Sequence, residues 1–142
     1  MKKYIVWFVV LLLTGCAQGR VDVIDENGNV VGNCSAKFYF HWYGAEDSVD
    51  YILYLCAKEY FEKGYQISDA SLLEKDFTLP KAPEGNTWNK KVANRQFKKG
   101  KISETELGYI LAAIEYEYWE AQKKAKELLD AGEITQSEFE EI

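Results

Sequence analysis

Residues 35–64 read SAKFYFHWYGAEDSVDYILYLCAKEYFEKG, and the hydrophobic period changes inside them. Between Ser35 and Gly44, Phe38, Phe40 and Trp42 alternate with Tyr39, His41 and Tyr43. That two-residue period predicts a strand with aromatic rings on both faces. After Ala45, Val49, Ile52, Leu53, Cys56, Ala57 and Tyr60 recur at three- and four-residue steps, while Lys58, Glu59 and Glu62 fall outside the stripe. This is the 3.6 period of an amphipathic helix. Asp47 or Ser48 stands where a side chain caps the first turn, and Gly64 where a helix stops. A strand running into a helix makes the chain α+β.

Working outward, Val21 to Cys34 places β-branched residues on either side of Asp25-Glu26-Asn27-Gly28-Asn29. An Asn-Gly pair in that setting is a hairpin signal. The oxygen-rich run lacks the spaced acids and terminal glutamate of a calcium loop, so it is read as a turn and not as a metal site. Downstream, Phe77 to Thr87 holds both prolines, Pro80 and Pro83, and is expected to be a surface loop. Trp88 to Lys99 predicts a short helix carrying the strongly basic patch, Lys90 to Lys101. The longest helix is expected over Glu104 to Ala131, with Leu107, Ile110, Leu111, Ile114, Tyr118, Ala121, Ala125 and Leu128 on one stripe. Tyr109, Tyr116 and Trp119 widen that stripe into a broad buried arc. The expected architecture is α+β and mainly helical: a small N-terminal antiparallel element of two or three strands, then four or five helices. An all-α packing is the alternative.

One phrase recurs. Gly100-Lys-Ile-Ser103-Glu-Thr-Glu106-Leu107 matches Gly132-Glu-Ile-Thr135-Gln-Ser-Glu138-Phe139. Glycine ends one helix; Ser or Thr with a glutamate three residues later starts the next as a capping box. Gly64 to Leu72 is a looser third version without the glutamate, and all three are expected to be helix–turn–helix joints.

The N-terminus reads MKKYIVWFVVLLLTGC: two lysines, an unbroken apolar run from Tyr4 to Leu13, then Leu13-Thr14-Gly15-Cys16. The apolar run is too short for a spanning helix and suits a secretory segment. These sixteen residues resemble a bacterial lipoprotein precursor, with Leu13 to Cys16 as the lipobox. The resemblance implies cleavage before Cys16, acylation of its thiol and amine, and stable attachment to a bilayer by several acyl chains. It divides the chain into a signal peptide (1–15), a lipidated tether (16–20) and one periplasmic domain (21–142). Ala17-Gln18, with no Asp after the cysteine, resembles the outer-membrane pattern, which places the domain on that membrane's periplasmic side. The end of the chain, LLDAGEITQSEFEEI, resembles the short C-terminal SHOCT module of bacterial proteins. That resemblance implies packing by Leu128, Leu129, Gly132, Ile134 and Phe139 and a role in oligomerisation or protein contacts.

With Cys16 assigned to lipid, Cys34 and Cys56 remain. In an oxidising compartment two cysteines suffice for one disulfide; two buried thiols are the alternative. The chain carries 17 Lys and Arg against 23 Asp and Glu, a formal charge of −6. Loss of Lys2 and Lys3 deepens that to −8. An acidic domain without a nucleic-acid motif argues against nucleic acid as partner. His41 is the single histidine, without companions for a metal cluster, and no cofactor is expected. Glu46, Asp47 and Asp50 cluster at a helix start, with no second carboxylate in the sequence to face them across a cleft.

These readings converge on a membrane-anchored envelope lipoprotein acting as a non-enzymatic protein-binding or accessory factor. Tyr39, His41, Tyr43, Trp88 and Trp119 are the candidate contact residues, and a further copy of the chain is one candidate partner. The alternatives are an inhibitor or immunity-type protein against a periplasmic enzyme, and a cell-wall-acting enzyme.

Overall fold

The computed structural model describes residues 16–39 and 43–142. In chain order its elements are β1 (Ala17–Ile24), β2 (Val30–Phe38), α1 (Ala45–Glu62), β3 (Gln66–Ile67), a 3-10 turn (Ala70–Glu74), α2 (Lys90–Lys98), α3 (Glu104–Asp130) and α4 (Gln136–Glu140). The fold is α+β and mainly helical, as the patterning predicts. The signal-peptide residues and Phe40, His41 and Trp42 lie outside the described residues.

The sheet has the order β2-β1-β3, antiparallel throughout. Asp25 to Asn29 makes the predicted turn. Asp25 Oδ1 accepts the Asn27 and Asn29 amides at 2.9 and 2.8 Å, and Gly28 supplies the positive φ of 83°. The Asn29 amide, first among these bonds, holds the Asp25 carboxyl below its ordinary range. Val21 and Val23 turn inward from β1, and Cys34 does so from β2. They meet Val49, Leu53 and Ala57, the predicted inner face of α1. The Cys34–Cys56 disulfide fastens β2 to that helix, with Cα atoms 5.9 Å apart.

Three local expectations are corrected. Strand β2 ends at Phe38, opposite Ala17, the first residue of β1, so the aromatic strand does not continue to Gly44. Tyr43 and Gly44 instead bend into α1, with Gly44 at a left-handed φ of 69°. Strand β1 already includes Ala17–Arg20, the stretch read as a tether. The third copy of the repeated phrase is not a helix joint. Its Ile67 pairs with Val23, and Ser68 exchanges bonds with the Asp22 backbone at 2.9 and 3.0 Å. The open edge of β1 captures the segment, and the 3-10 turn starts only afterwards, capped by Asp69.

The other two copies are capping boxes. Ser103 with Glu106 starts α3, and Thr135 with Glu138 starts α4. In each, glutamate accepts the cap residue's own amide at 2.7 Å. Asn89 caps α2 by accepting the Val92 amide at 3.0 Å.

Helices α1 and α3 run side by side in the same direction. Gly44 N–H donates to Glu104 Oε1 at 3.0 Å, and farther along Lys123 acts on the Glu59 carboxylate. At their start the backbones nearly touch. A methyl on Gly108 would lie 2.7 Å from Asp47 Cβ, and one on Gly44 would lie 2.6 Å from the Glu104 carbonyl oxygen. Ser48 does not cap α1; no side chain does. It is fully buried at the crossing, and its hydroxyl lies 2.9 Å from the Gly44 carbonyl and 2.8 Å from that of Gly108. One proton serves these two acceptors, so the bond is shared between the helices.

From Leu107 to Ala113 every residue of α3 is buried. Tyr109 belongs to the sheet–α1 core, while Leu107, Ile110 and Leu111 belong to a second core with Ala93 of α2 and Ile102. Leu79, in the proline loop, packs against both. Beyond Ala113 the burial lapses. Tyr118, Trp119 and Ala121 are exposed, and Ala125 alone is buried. The broad arc expected along the whole helix is fully buried only in its first third; α1 and α2 reach farther, to Lys123 and Glu115, but cover that part incompletely.

The crossing sets a test of sign. Alanine is the better helix former by roughly 1 kcal/mol, yet Gly108→Ala is expected to lower stability by about 1–3 kcal/mol through overpacking. Urea unfolding checks this: a raised midpoint would mean that the helices part freely to admit the methyl. The double variant Cys34→Ala, Cys56→Ala is expected to lose about 3 kcal/mol, from a bridge spanning 22 positions. In calorimetry that corresponds to a midpoint lower by about 10 °C; an unchanged midpoint would show that the bridge adds nothing to α1 packing.

Candidate functional site

The polar and aromatic surface residues are sorted along α3. At one end Cys16 is exposed, immediately before β1. Beside it runs a shallow groove with Gly19, Val49, Leu53 and Leu72 as floor and Glu46, Asp50, Asp69 and Lys75 on the rim. The groove narrows at Gly19 because Val49 and Leu53 press on it; a Cβ there would sit 2.7 Å from Val49 Cγ1. Three of these rim groups are already engaged. Lys75 pairs with Asp50 at 2.6 Å, and that carboxylate first of all holds the Lys75 amine above its ordinary value. Asp69 accepts from the Ser71 amide and hydroxyl.

Next to Cys16, Lys37 lies over the Tyr39 ring, 4.7 Å from its centroid. The Tyr39 hydroxyl, and to a lesser degree the Cys16 sulfur, favours the charged amine and raises its pKa. Tyr43 precedes the first turn of α1, and its ring lies 5.3 Å from that of Phe97 at the end of α2. Tyr39 and Tyr43 are 57% and 58% exposed, which makes this end an aromatic surface and not a wall of the core. Of the five candidate contact residues, these two share the Cys16 end; His41 lies outside the described residues.

Trp88 has a different role. It is half-buried against the second core, and its indole N–H donates to the Pro80 carbonyl at 2.7 Å. That bond pins the proline loop, so the ring is turned to the fold.

Just past the middle of α3, Trp119 is 56% exposed, with Lys123 5.5 Å from its ring and Tyr116 6.2 Å away. Tyr118 stands exposed beside it. The helical period puts Tyr118 inside the apolar stripe; periodicity gives a face but not how far a neighbouring helix covers it. Trp119 follows Glu104 by fifteen positions, about 22 Å along the axis. Past it, α4 folds back through Gly132 at φ 73°, with Leu128, Leu129, Ile134 and Phe139 half-buried. These are the positions named by the SHOCT resemblance.

Charge is sorted as well. Lys90, Lys91, Arg95, Lys98, Lys99 and Lys101 put six cations on and just after α2. Lys90 pairs with Glu115 of α3. The last sixteen residues carry six carboxylates and no cation. Among them Glu138 is held below its ordinary value, first by the Thr135 amide.

Among the described residues, no group of three or more His, Cys, Asp or Glu side chains converges as a metal site, and no helix is long and apolar enough to cross a membrane. Comparison with protein-family models, with curated proteins and with solved structures finds no match to the chain.

Proposed function

We propose that the protein is a lipid-anchored envelope protein, held to the periplasmic face of the outer membrane through acylated Cys16, and that its domain binds another protein without catalysing a reaction. The observation that supports this reading is the separation of the Cys16 end from the exposed Tyr118–Trp119 surface, about 22 Å along α3. An anchor at one end and exposed aromatic rings well away from it suit a protein that presents a contact surface away from the membrane. Tyr and Trp supply large contact areas with little side-chain freedom to lose. The half-buried α4 hairpin lies farther along the same helix, and its likeness to an oligomerisation module points the same way.

A second copy of the chain is the partner that charge favours. Lys90, Lys91 and Arg95 of α2 are opposite in sign to the six carboxylates at the C-terminal end, and such surfaces attract when they belong to different molecules. The contact would then weaken with salt.

The reading has separate tests for its two halves. Cys16→Ala is expected to move the protein out of the detergent-extractable membrane fraction's lipidated pool, with loss of the acyl mass from the N-terminal peptide. An N-terminal peptide of unmodified mass in the native protein would overturn the anchor. For binding, crosslinking in intact cells is expected to trap a specific adduct that Trp119→Ala weakens by roughly 30-fold, the size of a hot-spot loss. Adducts indifferent to Trp119→Ala and to Tyr118→Ser would remove this surface from consideration.

A further inference from the structure

We propose that the Cys16 end of the domain lies flush on the bilayer, with Tyr39 and Tyr43 seated in the headgroup region and Lys37, Lys98, Lys99 and Lys101 around them. The inference rests on the lipid-anchor reading above and adds an orientation to it.

Its first ground is the absence of slack. Ala17, the residue after Cys16, is already in β1 and paired with Phe38. One residue of extended chain reaches only about 3.5 Å. A rigid sheet joined so closely to acyl chains cannot stand off the membrane, and some face of the domain must meet it. From Ala17 onward β1 is bonded residue by residue to β2, so this attachment point cannot peel away without breaking that ladder.

The second ground is which face that is. Lys37 and Tyr39 flank Phe38, the pairing partner of Ala17, and Glu46 and Val49 of α1 border the Cys16 groove. Tyr43 enters α1 just before them and touches Phe97. Helix α2 runs opposite to α3: Lys90 meets Glu115, whereas Phe97 reaches the start of α1. The basic residues that follow Phe97 therefore collect at the same end as Cys16. Tyrosine is enriched at membrane–water interfaces, with its ring among the acyl carbonyls and its hydroxyl toward water, and lysine extends its amine to the phosphates.

The third ground is electrostatic. At this end Lys37, Lys98, Lys99 and Lys101, with Lys75 of the groove, stand among Glu46, Asp47, Asp50, Asp69, Glu104 and Glu106, so the charges nearly balance. The acidic C-terminal residues begin more than 20 positions along α3 from Glu104, over 30 Å away at about 1.5 Å per residue. That is several screening lengths of roughly 8 Å. The acidic C-terminal end therefore adds little repulsion between this nearly balanced face and phospholipid.

The test uses the full chain in its own membranes, with Tyr39, Tyr43 or Trp119 replaced in turn by the photoreactive p-benzoylphenylalanine. After irradiation, phospholipid adducts are expected at positions 39 and 43 at roughly ten-fold or more the level at 119, as interfacial seating of only the first two requires. The same mass spectra report acylation of Cys16. Acylated Cys16 without lipid adducts at 39 and 43, or with protein adducts there instead, overturns the flush orientation while leaving the anchor intact. An unmodified Cys16 overturns the anchor itself, and this inference with it.

Discussion

The rest of the architecture depends on the near-contact of two helix backbones at Gly44 and Gly108. With no side chain between them, α1 and α3 approach closely enough for the buried Ser48 hydroxyl to reach carbonyls of both. Helix α1 thereby serves two partners, the sheet through Val49, Leu53 and Ala57, and α3 through Gly44 and Ser48. Tyr109 then falls against Phe77 and Tyr51, with ring centroids 4.9 and 5.7 Å apart, and α3 joins the first core. On its other side Leu107, Ile110 and Leu111 are left to gather α2. Separate these backbones by the width of a methyl, and both cores would have to shift together, because interiors are packed without spare volume.

How much of this is written in the sequence varies with the physical range involved. The periods of two and 3.6, the Asn-Gly turn and both capping boxes are local patterns, and each appears where the chain predicts it. The Cys34–Cys56 bridge was legible as arithmetic: two cysteines beyond Cys16, one on a strand and one on the inner face of a helix. The aromatic candidates divided, since the sequence cannot tell an exposed ring from one such as Trp88 whose N–H is claimed by a loop carbonyl. Ser48 was misread because a serine near a helix start usually caps it; here Gly44 extends the helix by a turn, and the hydroxyl enters a crossing. Gly108 left no signal either. Inside an apolar helical stripe a glycine is a modest penalty, and only the neighbouring helix reveals why it is there.

The repeated phrase separates local from tertiary control. Glycine, a branched apolar residue and a hydroxyl occur three times, and twice they stop one helix and start another. At Gly64 to Ser68 the same ingredients yield a short strand. The missing glutamate weakens the cap, but the decisive difference is the open edge of β1, where the Asp22 backbone offers both a donor and an acceptor to Ser68. An unpaired strand edge is a strong template for any extended segment within reach. A capping box holds its shape where no such edge competes.

Net charge conceals a related division. The formal value of −6 describes no part of this molecule. Cations concentrate on α2, which is folded against the base of α3 by the antiparallel pairing of Lys90 with Glu115. Carboxylates concentrate where α3 has outrun both neighbours and ends in α4. Burial and charge are thus sorted along one axis for one reason: α1 and α2 fully cover only the first part of a longer helix. The fully covered part can afford apolar residues all round, from Leu107 to Ala113; the rest must be solvated. Carboxylates and lysines supply that solvation along most of it. Tyr118 and Trp119 do not, and an exposed pair of large rings within an otherwise polar overhang is the feature that solvation alone leaves unexplained.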